Sequence, residues 1–543
     1  MKKEKGMFLH NLFGTKPGEG VQPKEAIAYS ITGIGQNFIC TIVGSYIAVF
    51  MTDALLFGAD GVKVGFLDGA KAVAVLMLVA RIFDAFNDPI MGSFVDKTRT
   101  KWGKCRPYLK WMAVPIGVMT ILCFLPLFKA DNIAKGIGVN SAFAIISIIY
   151  VIWSVVYTVA DVPYWGLSTC MTNNTETRSN ILTVARMACT VGAGAVTVFL
   201  PIITGALTKQ YKYVGPVLDE AKNVVEYNDY YEILAAKADA IQNMMAQGYL
   251  ESEAVATFNG TVIQGLEAAN ADVLKWTYFI AAVVLVVAAL PMFFYGFKNT
   301  KEHFTTTDTP PSFSHNIKLL FKNKELLLIV LSGILGGARM VYSYTGGLYF
   351  AKYILKNEGM YSTITLLVVP GGLIASLLVP WMAKKFTKKW SYIIVHLFGG
   401  VVMLAMFFVG YESTGALIFA AIGLVLLGIP QGVNNIITYA MIGDTVDYLE
   451  WKTGERGEGI CYAMQTLINK IGMAVGAFIG VMSLSIANIN TKTYEVGDPD
   501  KLWAVLVISG AVSMFACAVP MFFYTITEKR QAQMVAEIEA RKE

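Results

Sequence analysis

Charged side chains are scarce in this sequence: Asp, Glu, Lys and Arg make up 15% of its 543 residues, against about 25% in an ordinary soluble chain. That scarcity excludes a soluble globular protein of this size. Paired cysteines are lacking too. Cys40, Cys105, Cys123, Cys170, Cys189, Cys461 and Cys517 show no spacing that would build a disulfide framework or a zinc site, and they read as reduced, ordinary helix residues. No nucleophile–base pair, metal-ligand cluster or phosphate-binding loop rises above chance, so neither an enzyme nor a resident cofactor is expected. The first 27 residues are polar and basic, without a small-residue cleavage pattern, which makes the first membrane helix the expected insertion signal.

What is abundant is apolar. Hydrophobic residues make up 55% of the chain, and the mean hydropathy is +0.53. Apolar runs of about 20 residues, each long enough to cross a bilayer, recur along the whole length. In hydrocarbon the backbone must bond to itself, and runs this long argue for helices rather than barrel strands. The expected fold class is an all-α polytopic membrane protein. Twelve spans are expected, at 28–52, 70–95, 108–128, 141–169, 182–207, 275–297, 325–352, 362–383, 391–411, 416–447, 459–487 and 501–525.

The net charge of +5 is no nucleic-acid signal, because Lys and Arg sit in short loops where they set orientation. Lys97, Arg99, Lys101, Lys104 and Arg106, then Lys298, Lys301, Lys322 and Lys324, then Lys384, Lys385, Lys388 and Lys389 fall on one side, with Lys2, Lys3, Lys5, Lys529 and Arg530. The positive-inside rule puts that side, and both termini, in the cytoplasm of a cell-membrane protein.

A polar stretch with Pro310-Pro311 divides six spans from six, as suits two bundles built as repeated halves. The expected organisation is a cytoplasmic segment 1–27, an N-terminal six-helix bundle 28–297, a cytoplasmic linker 298–324, a C-terminal six-helix bundle 325–525 and a cytoplasmic tail 526–543. The basic stretch 384–390 echoes the basic loop between the second and third spans. One segment breaks the pattern: 208–274 is a long acidic insertion on the outer side, with amphipathic helices expected over 233–246 and 251–258. It is either an insertion without chemistry or a cap that narrows the outer mouth or contacts a partner.

Polar residues inside the spans carry the functional signal. Asp84 and Asp88, in the second span, are four apart and share a helix face. A carboxylate near the bilayer centre costs about 2.5–3.5 kcal/mol, and two like charges repel further. A bound cation, a proton or a basic partner such as Arg81 relieves that cost, and Asn87 adds a neutral oxygen suited to a hard cation. A structural ion-pair network is the plainer alternative. The fourth span carries Asp161 with Trp165 one turn on, a pairing that suits a sugar, whose apolar face stacks on the ring while its hydroxyls bond to the acid; an interfacial anchor is the other reading of Trp165. Arg186 in the fifth span and Lys470 in the eleventh are buried cations, read as compensation across a shared cavity; snorkelling to the inner edge is the other reading of Arg186. Asp444, Asp447 and Glu450, followed by Arg456, end the tenth span and suit an inner latch to Arg106 or Lys104, or a static surface network.

Taken together, Arg81-x-x-Asp84-Ala-x-Asn87-Asp88-Pro-x-Met-x-Gly92, Trp102-Gly103-Lys104-x-x-Pro107, Tyr157-Thr158-x-x-Asp161-x-Pro163-x-Trp165, Asp444-Thr-Val-Asp447-Tyr448-x-Glu450 and Gln465-Thr466-x-x-x-Lys470 resemble the glycoside–pentoside–hexuronide:cation symporters of the major facilitator superfamily. The resemblance covers all twelve spans and implies the major facilitator fold. It implies a cation site, for Na+ or H+, formed by Asp84, Asp88 and Thr158 with Asn87 beside it and Lys470 close by. It implies a sugar site formed by Asp161, Trp165 and Arg186 opposite the first span, with Lys470 and Gln465 near, and Arg81, Arg106, Asp444, Asp447, Glu450 and Arg456 in coupling and gating. The melibiose-type pattern puts a sugar-binding acid in the first span. Here Gly35-Gln36-Asn37-Phe38 stands in that place, with Asn37 aligned to the acid, so a galactoside preference does not follow. The long insertion is a second departure.

The expected function is therefore cation-coupled symport of a sugar or glycoside by alternating access, performed by a monomer in the lipid bilayer, with Asp84 and Asp88 as Na+ ligands. A sodium-coupled lysophospholipid transporter and a non-transporting sugar sensor are the alternatives.

Overall fold

The computed structural model describes residues 21–59, 61–172, 175–209, 213–218, 224–227, 237–257, 264–303, 313–343, 345–455, 458–490 and 495–542. Each expected span has a helical counterpart among them. In the first half these are α1 (Pro23–Val49), α2 (Gly69–Lys97), the broken pair α3 (Arg106–Trp111) and α4 (Ala113–Cys123), α5 (Val139–Met171), α6 (Thr175–Lys209) and α7 (Gln264–Asn299). In the second half they are α8 (Lys324–Leu335) and its continuation to Ile354, α9 (Met360–Val409), α10 (Thr414–Thr453), α11 (Glu458–Ile486) and α12 (Pro499–Phe522). A final amphipathic helix, α13 (Glu528–Lys542), lies beyond the last span.

Ten helices of the described residues are long and apolar enough to cross a bilayer on composition alone. α2 is not among them, because Arg81, Asp84 and Asp88 interrupt its apolar run. Leu377 and Phe408 are 82% and 81% exposed. An exposed apolar collar of this kind is stable against lipid and not against water.

Local sequence explains the irregular spans. α1 starts on Pro23, whose missing N–H is no loss at a helix start, and ends in a wide turn, Phe50–Ala54. The seventh span is in pieces: after α8 come the tight turn Gly337–Ser343, the short helix Thr345–Tyr349 and the wide turn Phe350–Ile354. Gly336-Gly337 and Gly346-Gly347 flank the breaks, and two adjacent glycines weaken a helix. The eighth and ninth spans are one element, α9, bent at Thr387 (φ 67°). Positive φ in a β-branched residue is strained, and the bend is held by Glu528, which accepts the Lys388 N–H at 2.7 Å. α9 and α10 pack backbone to backbone: a Cβ on Gly432 would meet the Gly372 carbonyl at 2.2 Å, the close approach small residues allow between membrane helices.

The insertion differs from expectation in its first part. It opens with a two-stranded antiparallel pair, Tyr213–Leu218 with Val224–Tyr227, which the sequence reading did not foresee. The two expected helices are present as Lys237–Ala246 and Glu251–Thr257, with 233–236 and 258 outside the described residues. The helix of the sixth span begins at Gln264, inside the stretch read as insertion.

The starts of α1 and α8, the 298–303 stretch and the residues that follow α12 lie at one end of the bundle, the near end. His303 reaches Glu25 at 2.9 Å, and Thr525 donates from its N–H and hydroxyl to Glu325 at 2.9 and 2.7 Å. One apolar core cluster runs from the first half into the far end of the second, joining Tyr46 and Phe50 to Tyr349, Phe350 and Tyr353; a separate cluster fills the near end of the second half.

Candidate functional site

Asp84 sits at the middle of α2, a helix of 29 residues and therefore about 43 Å long at 1.5 Å per residue. It is 1% exposed. From α5, the Thr158 hydroxyl donates to Asp84 Oδ1 at 2.6 Å. From α11, Lys470 Nζ stands 3.0 Å from Asp84 Oδ2 and 2.6 Å from Asp88 Oδ1. Arg81, one turn below on α2, lies 4.0 Å from Asp84. The two carboxylates face one point, and a protein ammonium occupies it. Asn87 Nδ2 is buried with no hydrogen-bond partner among the described residues.

One turn along α5, Asp161 collects three donors on a single oxygen. Trp165 Nε1 donates at 3.1 Å and the Tyr157 hydroxyl at 3.3 Å; the amide of Gln36, from α1, is the third. The guanidinium of Arg186 on α6 stacks 5.3 Å over Trp165 and 4.2 Å over Tyr439 of α10, and donates to the Tyr439 hydroxyl at 2.6 Å. Arg186 is exposed at the middle of an apolar helix and has its partner in the other half, so it faces a cleft between the halves rather than lipid. Three carboxylates and three cations thus share the middle layer, as buried charge requires.

Several residues singled out from the sequence stand elsewhere. Asn37 is not in the Asp161 group: its amide donates to the Gly33 carbonyl of its own helix at 3.0 Å. Gln36, one position earlier, is the residue of the first span that reaches Asp161, and its Oε1 is buried without a partner among the described residues. Gln465 bonds to Asn469 at 3.1 Å, one turn from Lys470 on α11.

The acids that end α10 do not join Arg106. Asp444 holds Lys388 at 2.7 and 2.6 Å, and Asp447 accepts from Gln531 of α13 at 3.0 Å. Glu450 is buried beside them. Arg106 instead donates to the Phe297 carbonyl at 2.7 Å, while Glu302 accepts the N–H groups of Lys104, Cys105 and Arg106. Arg456 lies outside the described residues.

One polar cluster was missed. At the far end Asp53 binds Lys352 and accepts from the Tyr353 hydroxyl at 3.0 Å. Thr52 contacts the Tyr349 hydroxyl at 2.9 Å, Thr204 contacts Glu358 at 2.6 Å, and Ser362 donates to the Val198 carbonyl at 2.7 Å. Each of these bonds crosses between the halves. In sequence Asp53 and Lys352 are single charges at the ends of two spans, which is the only signal they gave.

With that geometry in view, comparison with known proteins is informative. A family model described as MFS/sugar transport protein matches residues 28–528. A protein of Escherichia coli K12 described as a glucuronide carrier protein homolog is 26% identical over 521 residues, 95% of each chain. An isoprimeverose transporter of Lactiplantibacillus pentosus is 24% identical over 526 residues, 95% of this chain and 91% of that one. The crystal structure of a D-xylose–proton symporter superposes with TM-score 0.54 at 11% identity, covering 93% of this chain and 98% of that one, which establishes a common fold. The protein is a multi-pass membrane transporter of the major facilitator fold and belongs to the MFS/sugar transport family.

Proposed function

We propose that this transporter couples the entry of a cation, sodium before proton, to the uptake of a glycoside, pentoside or hexuronide by alternating access. The observation that carries the reading is the Lys470 ammonium, held by Asp84 and Asp88 across the two halves. Two carboxylates and the Thr158 hydroxyl offer oxygens suited to a hard cation. A cation arriving there competes with Lys470 for the same oxygens. When it wins, the tie between α2 and α11 is cut and the halves are free to rock around the site. Thr158 and Asp161 lie on one helix, α5, less than a turn apart, so a cation that draws in Thr158 also sets Asp161 and Trp165. Trp165 offers an apolar face, Asp161 an acceptor, and the exposed guanidinium of Arg186 a donor for hydroxyl or carboxylate oxygens. The relatives named above are described as a glucuronide carrier protein homolog and an isoprimeverose transporter, which is the support for a sugar as cargo.

The basic loops of the near end support a cytoplasmic placement of that end. Coupling of this kind is reciprocal: each ligand tightens the other, by 5–150-fold in typical cases. Calorimetric titration of a glycoside, pentoside and hexuronide panel with and without sodium tests it. The reading predicts tighter sugar binding with sodium, an effect lost in Asp88→Asn; sugar affinity indifferent to sodium and to protons refutes it.

A further inference from the structure

Among the described residues, the far-end cluster that joins the halves holds two buried carboxylates, Asp53 and Glu358, and one buried ammonium, Lys352. Asp53 and Lys352 are a neutral pair, with side chains 1% and 3% exposed. Glu358, in the turn between Ile354 and Met360, is 4% exposed. A second charge there has no second cation to balance it among the described residues, and a buried unbalanced charge is strongly unfavourable.

The hydrogen-bond pattern accommodates a neutral carboxyl. Thr204 Oγ1 lies 3.2 Å from the Pro201 carbonyl, which can only accept, and 2.6 Å from Glu358 Oε1. A hydroxyl has one hydrogen. The hydrogen lies on the short contact, so Thr204 donates to Glu358 Oε1, and a carboxyl that carries its proton on the other oxygen accepts that bond without adding a second buried negative charge. Burial also holds the Glu358 carboxyl above the usual carboxylate range, with the Lys352 ammonium opposing it. The groups that face it are Asp53 and Tyr46 from the first span, Thr204 from α6, Tyr278 from α7 and Lys352 from the seventh span.

We propose that Glu358 is a proton-binding site of the far-end gate, distinct from the cation site: it is protonated when the gate is closed and releases its proton to the far side when the gate opens. This rests on the alternating-access reading above. The proton is the only ligand, and its balance is simple: closing takes up one proton from the far-side water, and opening returns it. The closed gate binds the proton more tightly than the open one, so it is favoured as pH falls and weakened as pH rises. One linked proton changes the closed-to-open ratio by up to about tenfold per pH unit.

The test uses the full chain, spin-labelled at Ile137→Cys and Glu412→Cys, which lie in far-end loops of opposite halves. Interspin distances are measured in lipid nanodiscs as pH is raised. The expected result is a closed population that gives way to a separated one with rising pH, and a Glu358→Gln variant that no longer responds. Thr204→Val is the second variant: with Thr204 as donor to the carboxyl, its loss disfavours the ionised form and moves the midpoint to higher pH. A pH response unchanged in Glu358→Gln, or a midpoint that falls or stays in Thr204→Val, overturns the proposal. A separation that responds to sodium and sugar but not to pH defeats this inference alone. A separation that responds to nothing defeats the transport reading as well.

Discussion

The two ends of the bundle use their polar residues in opposite ways. At the far end the bonds run between the halves: Asp53 to Lys352, Thr204 to Glu358, Ser362 to Val198. At the near end two capping carboxylates each bond within their own half. Glu302 caps the loop of its own half at Lys104, Cys105 and Arg106, and Glu528 caps the matching bend of the other half at Lys388. The core repeats the contrast, since one apolar cluster crosses the halves at the far end and the near end of the second half has its own. The far end is built as a seal, and the near end as two rigid lips. The mid-depth bridge from Lys470 to Asp84 and Asp88 is the switch between them.

The largest effect is expected at the seal. Asp53→Ala leaves Lys352 buried without its carboxylate, at a cost of about 3–5 kcal/mol to the closed state. Distances between labels at 137 and 412 are expected to shift to the separated population. The double variant with Lys352→Ala is expected to close again in part, because neither charge is then stranded; equal opening in single and double variants counts against a charge-paired seal. At mid-depth, Lys470→Ala leaves two acids with Arg81 as their nearest cation, a loss of about 3 kcal/mol. It is expected to abolish uphill uptake at wild-type levels of protein in the membrane, read by transport and immunoblot.

At the near end the paired caps give an internal comparison. Glu302→Gln weakens three charge-assisted bonds and is expected to cost about 2 kcal/mol in thermal unfolding. Glu528→Gln weakens one and is expected to cost about 1 kcal/mol. The smallest contrast is within the sugar pocket. Gln36→Leu is expected to weaken glycoside binding about tenfold, near 1.4 kcal/mol, and Asn37→Leu far less, since Asn37 bonds only within its helix.

The resemblance and the apolar runs made the twelve spans and the middle layer legible: Asp84, Asp88, Thr158 and Lys470 are mutual neighbours, and Trp165 stands between Asp161 and Arg186. Loop 384–390 is a structural echo of the basic loop before α3, each capped by a glutamate just beyond the last span of its half. Sequence spacing could not decide between Gln36 and Asn37. Neighbours on a helix point about 100° apart, and only packing of α1 against α5 fixes which one faces inward. Nor could it pair Asp53 with Lys352, 299 positions away, because that contact depends on how the halves meet. The partner of Asp444 was not legible for a similar reason: Lys388, which holds it at 2.7 Å, lies 56 positions away on the bend of α9.

The most direct test of the account is uptake into proteoliposomes of labelled glycosides, pentosides and uronides, under an imposed sodium gradient and then a proton gradient, with Asp88→Asn beside the wild type. The account predicts accumulation driven by sodium and no accumulation in Asp88→Asn, while that variant still reconstitutes. Robust uphill transport by Asp88→Asn, or no sugar moved under either gradient, contradicts it.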